Sequence, residues 1–150
     1  MFEYGPGSLV ARHASWGGGY CLDNWWPSLT LTRLTFTAPD GTEYELRDQL
    51  TAGQPHNNGA PCSAPAFSRG TVFVTADGSS ATFISNTNIY DAYVNETNRI
   101  SSPSGKLKLR DGTVFNIVDG FITWMRDRNG NQLTFNYTWI WIDVDDYRLA

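Results

Sequence analysis

Lys106-Leu107-Lys108-Leu109-Arg110-Asp111-Gly112-Thr113-Val114-Phe115-Asn116-Ile117-Val118-Asp119-Gly120-Phe121-Ile122-Thr123-Trp124-Met125-Arg126 reads as three strands joined by two turns. In its first five residues the leucines alternate with basic side chains, the pattern of a strand buried on one face and wet on the other. Asp111-Gly112 and Asp119-Gly120 are turn dipeptides, since Gly adopts positive φ without steric cost and Asp tolerates it. Past Asp127-Arg128-Asn129-Gly130, apolar Leu133, Phe135 and Tyr137 alternate with Thr134, Asn136 and Thr138. This predicts another half-buried strand.

The first half repeats the grammar. Leu29 and Leu31 occupy odd positions and Leu34 and Phe36 even ones, so an unbroken strand would send the pairs to opposite faces. A bulge near Thr32-Arg33 restores one face. Ala38-Pro39-Asp40-Gly41 is a turn, Thr42-Glu43-Tyr44-Glu45-Leu46 resumes the alternation, and Asp77-Gly78 joins Thr71–Ala76 to Ser80–Ser85. Tyr90, Tyr93, Val94 and Thr97 have helical spacing over a window too short to hold a helix. The expectation is an all-β fold with almost no helix, its antiparallel hairpins stacked as a sandwich or a short repeat-like sheet. Residues 1–27, rich in Gly and containing Trp16, Trp25 and Trp26, and residues 49–69 show no period and are expected to be long loops.

At 150 residues the chain fits one domain, read as an aromatic and Gly-rich segment (1–27), a hairpin region (28–137) and a terminal strand and tail (138–150). Charged residues are only 17% and the net charge is -4, which argues against a coiled coil and against a nucleic-acid binder with clustered Lys and Arg. No apolar run reaches the roughly 20 residues of a membrane helix, and Met1-Phe2-Glu3-Tyr4-Gly5-Pro6 lacks a basic then apolar leader. The chain is expected to be soluble, either a mature product or a piece of something longer.

Asp-Gly-Thr-x-aromatic occurs at Asp40–Tyr44 and at Asp111–Phe115, with a looser relative at Asp77-Gly78-Ser79. A strand, turn, strand unit cannot bury its apolar face alone, so stacking of such units is expected. Asp111–Phe115, Asp119–Thr123 and, above all, Asp127-Arg128-Asn129-Gly130-Asn131-Gln132-Leu133-Thr134-Phe135-Asn136-Tyr137 resemble the RHS family of YD-repeat proteins. Pro39–Asp48 and Ser68–Gly78 resemble the region ahead of those repeats, and the likeness covers roughly residues 34–137. It implies a secreted or surface-exposed bacterial protein, a YD-repeat-like sheet or spiral, and no catalytic residues in the repeats. The chain departs from the family in holding one good repeat, with Thr138-Trp139-Ile140-Trp141-Ile142-Asp143 where further repeats are expected.

Little points to catalysis. His13 and His56 are the only imidazoles, and no Gly-x-Ser-x-Gly elbow is present. Asp127–Asn131 starts like a calcium loop, yet Thr138 stands where a bidentate Glu is needed. Asp143, Asp145 and Asp146 read as a solvated acidic tail, and the other carboxylates sit beside turn glycines or on polar strand faces. The chain is expected to be no enzyme and to need no metal or cofactor. Cys21 and Cys62 permit one disulfide, two free thiols being the alternative. Asn95 and Asn136 lie in glycosylation sequons that matter only in a secreted protein, in a chain where Asn and Thr are common enough for chance.

Trp139, Ile140, Trp141 and Ile142 make a strand apolar on both faces, which needs cover on both. A neighbouring copy can supply it. The reading is an extracellular, non-enzymatic structural protein that self-associates through strand edges into a fibre or other homo-oligomer. Two alternatives stand beside it: a fragment of a larger RHS-type shell, and a carbohydrate-binding module stacking sugars on Trp16, Trp25 and Trp26. The expected partners are copies of the chain itself, or glycans, and not nucleic acid.

Overall fold

The computed structural model describes residues 7–62, 65–78, 80–93 and 102–135. In chain order its strands are β1 (Ser8–Cys21), β2 (Asn24–Thr37), β3 (Glu43–Asp48), β4 (Val72–Thr75), β5 (Ala81–Ser85), β6 (Ala92–Tyr93), β7 (Gly105–Leu109), β8 (Val114–Val118), β9 (Phe121–Arg126) and β10 (Gln132–Thr134). All pair antiparallel, and no helix occurs among the described residues.

Neighbours along the chain are neighbours in the sheet, in the order β1-β2-β3-β4-β5-β7-β8-β9. The circle closes where Ser8 meets Phe121 and the Leu9 amide donates to Gly120 O at 2.8 Å. β10 extends the sheet beyond β9, and β6 pairs with β2. The antiparallel hairpins expected from the sequence are present, but one sheet curls on itself where a stacked pair was the first expectation. Alternation marks which face of a strand is buried; it does not say whether the opposing face belongs to a second sheet or to the far side of the same one.

Alternate residues fill the barrel. Leu9, Leu34, Phe36, Leu46, Phe73, Phe83, Leu107, Phe115, Ile117 and Ile122 are all buried. Phe36 and Phe115 reach across with ring centroids 5.1 Å apart. The bulge falls where the leucine parity requires it: pairing steps from Arg12↔Arg33 to His13↔Leu31, Thr32 is the extra residue, and Leu31 and Leu34 are both buried.

Three five-residue turns share one geometry. In Ala38–Thr42, Leu109–Thr113 and Asp127–Asn131 the first amide donates to the last carbonyl (2.8, 2.8 and 2.9 Å), and the glycine amide donates back to the first carbonyl (2.9, 3.0 and 3.0 Å). Their glycines have φ of 91°, 97° and 89°, the conformation that makes Gly the residue of choice there.

The N-terminal segment departs from the expected loop. Residues 8–21 and 24–27 belong to the two longest strands, β1 and β2, each of 14 residues. Two bulges, between Arg12 and His13 and between Ser15 and Gly18, break the period that would have revealed them. Their turn is equally hidden, because Leu22 and Asp23 take positive φ (53° and 65°) with no glycine to announce it.

Candidate binding surface on the aromatic hairpin

Beyond the barrel the β1–β2 hairpin continues as an arm with two unlike faces. Tyr20 lies opposite Trp25, and their rings meet edge to face with centroids 5.3 Å apart at 68°. Gly18 runs beneath Trp25; a Cβ there would stand 3.0 Å from Trp25 Cζ2. Only a residue without a side chain lets the indole lie so close to the strand. Trp16 and Trp25 are each 52% exposed, Tyr20 70% and Leu22 86%. Four large apolar side chains on one arm form the kind of patch that marks an interaction site.

The other face is held down by the loop that follows β3. Cys21 and Cys62 are joined by a disulfide with Cα atoms 5.7 Å apart. A Cβ on Gly19 would stand 2.7 Å from Ala60 N, and one on Gly17 2.7 Å from the Asn57 side chain. The His56 amide donates to Thr30 Oγ1 (3.1 Å) and the Asn58 amide to Ser28 Oγ (3.0 Å). Asn58 Oδ1 accepts from the Phe67 amide at 3.0 Å, which ties the loop to itself across nine residues.

Arg69 fixes the loop's far end. Its side chain is fully buried, and Nε and Nη2 fork onto Asp91 at 2.9 and 3.1 Å. Nη1 donates to Thr51 Oγ1 (2.6 Å) and Gln54 O (2.9 Å), and Nη2 also to Thr30 Oγ1 (2.7 Å). Asp48, 3.5 Å from Nη1, accepts from the Thr51 and Gly53 amides. A guanidinium offers five N–H donors, and here each has an acceptor, which is what makes burial of the charge tolerable. Phe67 covers it, the Arg69 Cζ lying 4.9 Å from that ring centroid, and His56 stacks on the same ring at 4.2 Å.

The arm also offers main chain. On its outer edge β1 has a partner strand only at Ser8 among the described residues. From Ala14 to Cys21 that edge carries no Pro and no Lys, Arg, Asp or Glu, the devices that usually keep an edge from pairing. The described surface also has clefts of about 230 Å³ beside Tyr44, Ser80 and Arg110 and about 360 Å³ beside Ser85, Asn86, Ser104 and Asp119. In the second, Ser85 Oγ bonds Thr87 O and Ser104 Oγ accepts from the Asp119 amide, so these hydroxyls hold turns.

Of the residues singled out from the sequence, Trp16, Trp25 and Trp26 all stand on the arm, with Trp26 half-buried on the strand opposite Gly19. Cys21 and Cys62 brace it. Asn95, Asn136, Trp139, Ile140, Trp141 and Ile142, with Asp143, Asp145 and Asp146, lie outside the described residues. Among the described residues no three His, Cys, Asp or Glu side chains are grouped to hold a metal ion. Tyr20, Leu22 and the Arg69 cluster carried no sequence signal, since neither a strand nor a buried charge was expected where they stand. Comparisons with protein-family models, with curated proteins and with solved structures find no match to this chain.

Proposed function

We propose that the chain is a non-enzymatic extracellular structural module that associates with copies of itself by strand addition. The outer edge of β1 on the aromatic arm is the acceptor, and the apolar segment Thr138–Ile142 of a neighbouring copy is the donor. The observation that carries this reading is the edge from Ala14 to Cys21, which has no partner strand among the described residues and displays Trp16 and Tyr20. Main-chain bonds supply affinity in such a contact and flanking side chains supply specificity; Trp and Tyr are the residues that most often dominate it. Donor and acceptor are different surfaces, so repetition gives a ring or a filament and not a two-fold dimer.

Sedimentation over a wide concentration range tests this. The full chain should assemble, whereas a chain ending at Tyr137 and a Trp16→Lys variant, which puts a charge on the edge, should stay monomeric. A full chain that is monomeric at high concentration, or a shortened chain that assembles normally, removes the proposal.

Trp25, with Tyr20 standing edge-on beside it, favours a second reading, a platform for a sugar ring. Glycan-array binding that disappears in Trp25→Ala while the protein stays folded would place this reading first.

A further inference from the structure

The outer surface of β7, β8 and β9 carries a feature independent of the arm. With Leu107, Phe115 and Ile117 facing the core, the residues between them face out. The register lays them in two rows across the strands, Lys106–Asn116–Trp124 and Lys108–Val114–Arg126. Given strand spacings of about 4.8 Å and a two-residue repeat of about 7 Å, Lys106, Lys108 and Arg126 stand within a patch of roughly 7 by 10 Å. Lys106 and Lys108 are the only lysines in the chain.

Four of the six other described arginines are held by carboxylates. Arg33 and Arg47 pair with Glu45, Arg69 with Asp48 and Asp91, and Arg110 with Asp77. Lys106, Lys108 and Arg126 form no ion pair with a carboxylate among the described residues. Arg126 instead forks onto Gln132 Oε1 (3.2 and 2.7 Å) and lies 4.6 Å from the Trp124 ring centroid, with Lys106 Nζ at 6.0 Å from the same ring. Two cations on one indole repel each other, and an anion between them relieves that repulsion. Ile84, directly across from Lys106 and 43% exposed, adds an apolar border. A net charge of -4 thus coexists with a local excess of positive charge beside an aromatic ring.

We infer that this strip binds an acidic polysaccharide, whose carboxylate or sulfate groups sit on Lys106, Lys108 and Arg126 and whose sugar faces lie against Ile84 and Trp124. Chemistry favours this polyanion over nucleic acid. A duplex carries one charge per about 1.7 Å and needs a long cation track; here the strip runs directly into the turn carboxylates Asp111 and Asp127, which repel a densely charged strand. Sugar-borne charges are sparser and are matched by three cations. The Cys21–Cys62 disulfide also suits the oxidising surroundings in which such polymers occur.

The test is retention of the full chain on immobilised polygalacturonate and chondroitin sulfate, with neutral dextran and duplex DNA as comparisons, in low and rising salt. The acidic polysaccharides should retain the protein, dextran should not, and salt should release it. Joint replacement Lys106→Gln with Lys108→Gln should weaken binding about tenfold or more, which is about 1.4 kcal/mol. Arg12→Gln, on the exposed surface of β1, should change it by less than about twofold. The paired Lys106→Arg, Lys108→Arg variant should retain binding, which separates charge from folding. No retention of the parent chain, undiminished retention of the glutamine variant, or tighter binding to duplex DNA than to both polysaccharides would overturn the inference.

Discussion

Single carboxylates decide how the turns are held. Asp40 Oδ1 accepts from the Thr42 amide and Asp111 Oδ1 from the Thr113 amide, each at 2.9 Å, and these bonds are the main reason both carboxyls titrate below the usual aspartate range. Asp127 is lowered chiefly by the side chain of Asn131, with the Asn131 amide next. A group whose pKa is lowered on folding contributes stability above its unfolded value, about 3.9, and loses that contribution as pH falls through the folded value. Thermal midpoints should therefore fall between about pH 5 and pH 2. Replacing Asp40, Asp111 and Asp127 together by Ala should lower the midpoint at pH 7 and flatten this acid limb. An unchanged acid limb in scanning calorimetry would exclude these turns as its source. Arg69 follows the opposite logic. Its charge is sealed in with Asp48 and Asp91, an arrangement in which losing one partner generally costs about 3–5 kcal/mol. Asp-Gly dipeptides make such turns visible in the sequence; a lone Arg in Phe67-Ser68-Arg69-Gly70 gives no sign that it is buried.

Elements show where the reading of the sequence succeeds and where it stops. β7, β8 and β9 are short and joined by Asp111-Gly112 and Asp119-Gly120, so punctuation marks them even though a bulge at Asn116/Ile117 interrupts the β8–β9 register. The arm defeats the same method because its bulges shift the period, Gly17, Gly18 and Gly19 remove side chains from the pattern, and Leu22-Asp23 turns without a glycine. Even so, the three tryptophans proposed as a sugar platform lie on that arm. The disulfide ties the arm to the loop across a sequence separation of 41 residues. On the chain-entropy account such a closure stabilises by about 2–4 kcal/mol. Reduction, or Cys21→Ser, should lower stability by about that amount. It should also open residues 54–62 to proteolysis before the barrel strands are cut. Simultaneous cleavage of loop and barrel would show that the disulfide does not control the loop separately.

At the scale of the whole molecule the barrel was legible only in part. Antiparallel hairpins follow from local signals, but closure depends on how far the sheet twists, and that is a collective property of all its strands. Nothing in Ser8-Leu9 or Asp119-Gly120-Phe121 identifies them as the seam. Yet the barrel closes there, the described residues contributing the Ser8–Phe121 pair and the bond from Leu9 to Gly120.

That seam bears on the order of events in folding. Apart from the longer β3–β4 and β5–β7 connections, sheet neighbours meet across short turns, so much of the sheet can form at small sequence separation. Ser8 and Phe121 come from opposite ends of the described chain and must meet against the entropy of everything between them. Closure is therefore expected to be the last contact made and the first released. In amide hydrogen exchange Leu9 should lose protection well ahead of Phe115. Equal protection of the two would show that the barrel opens only when the whole sheet does.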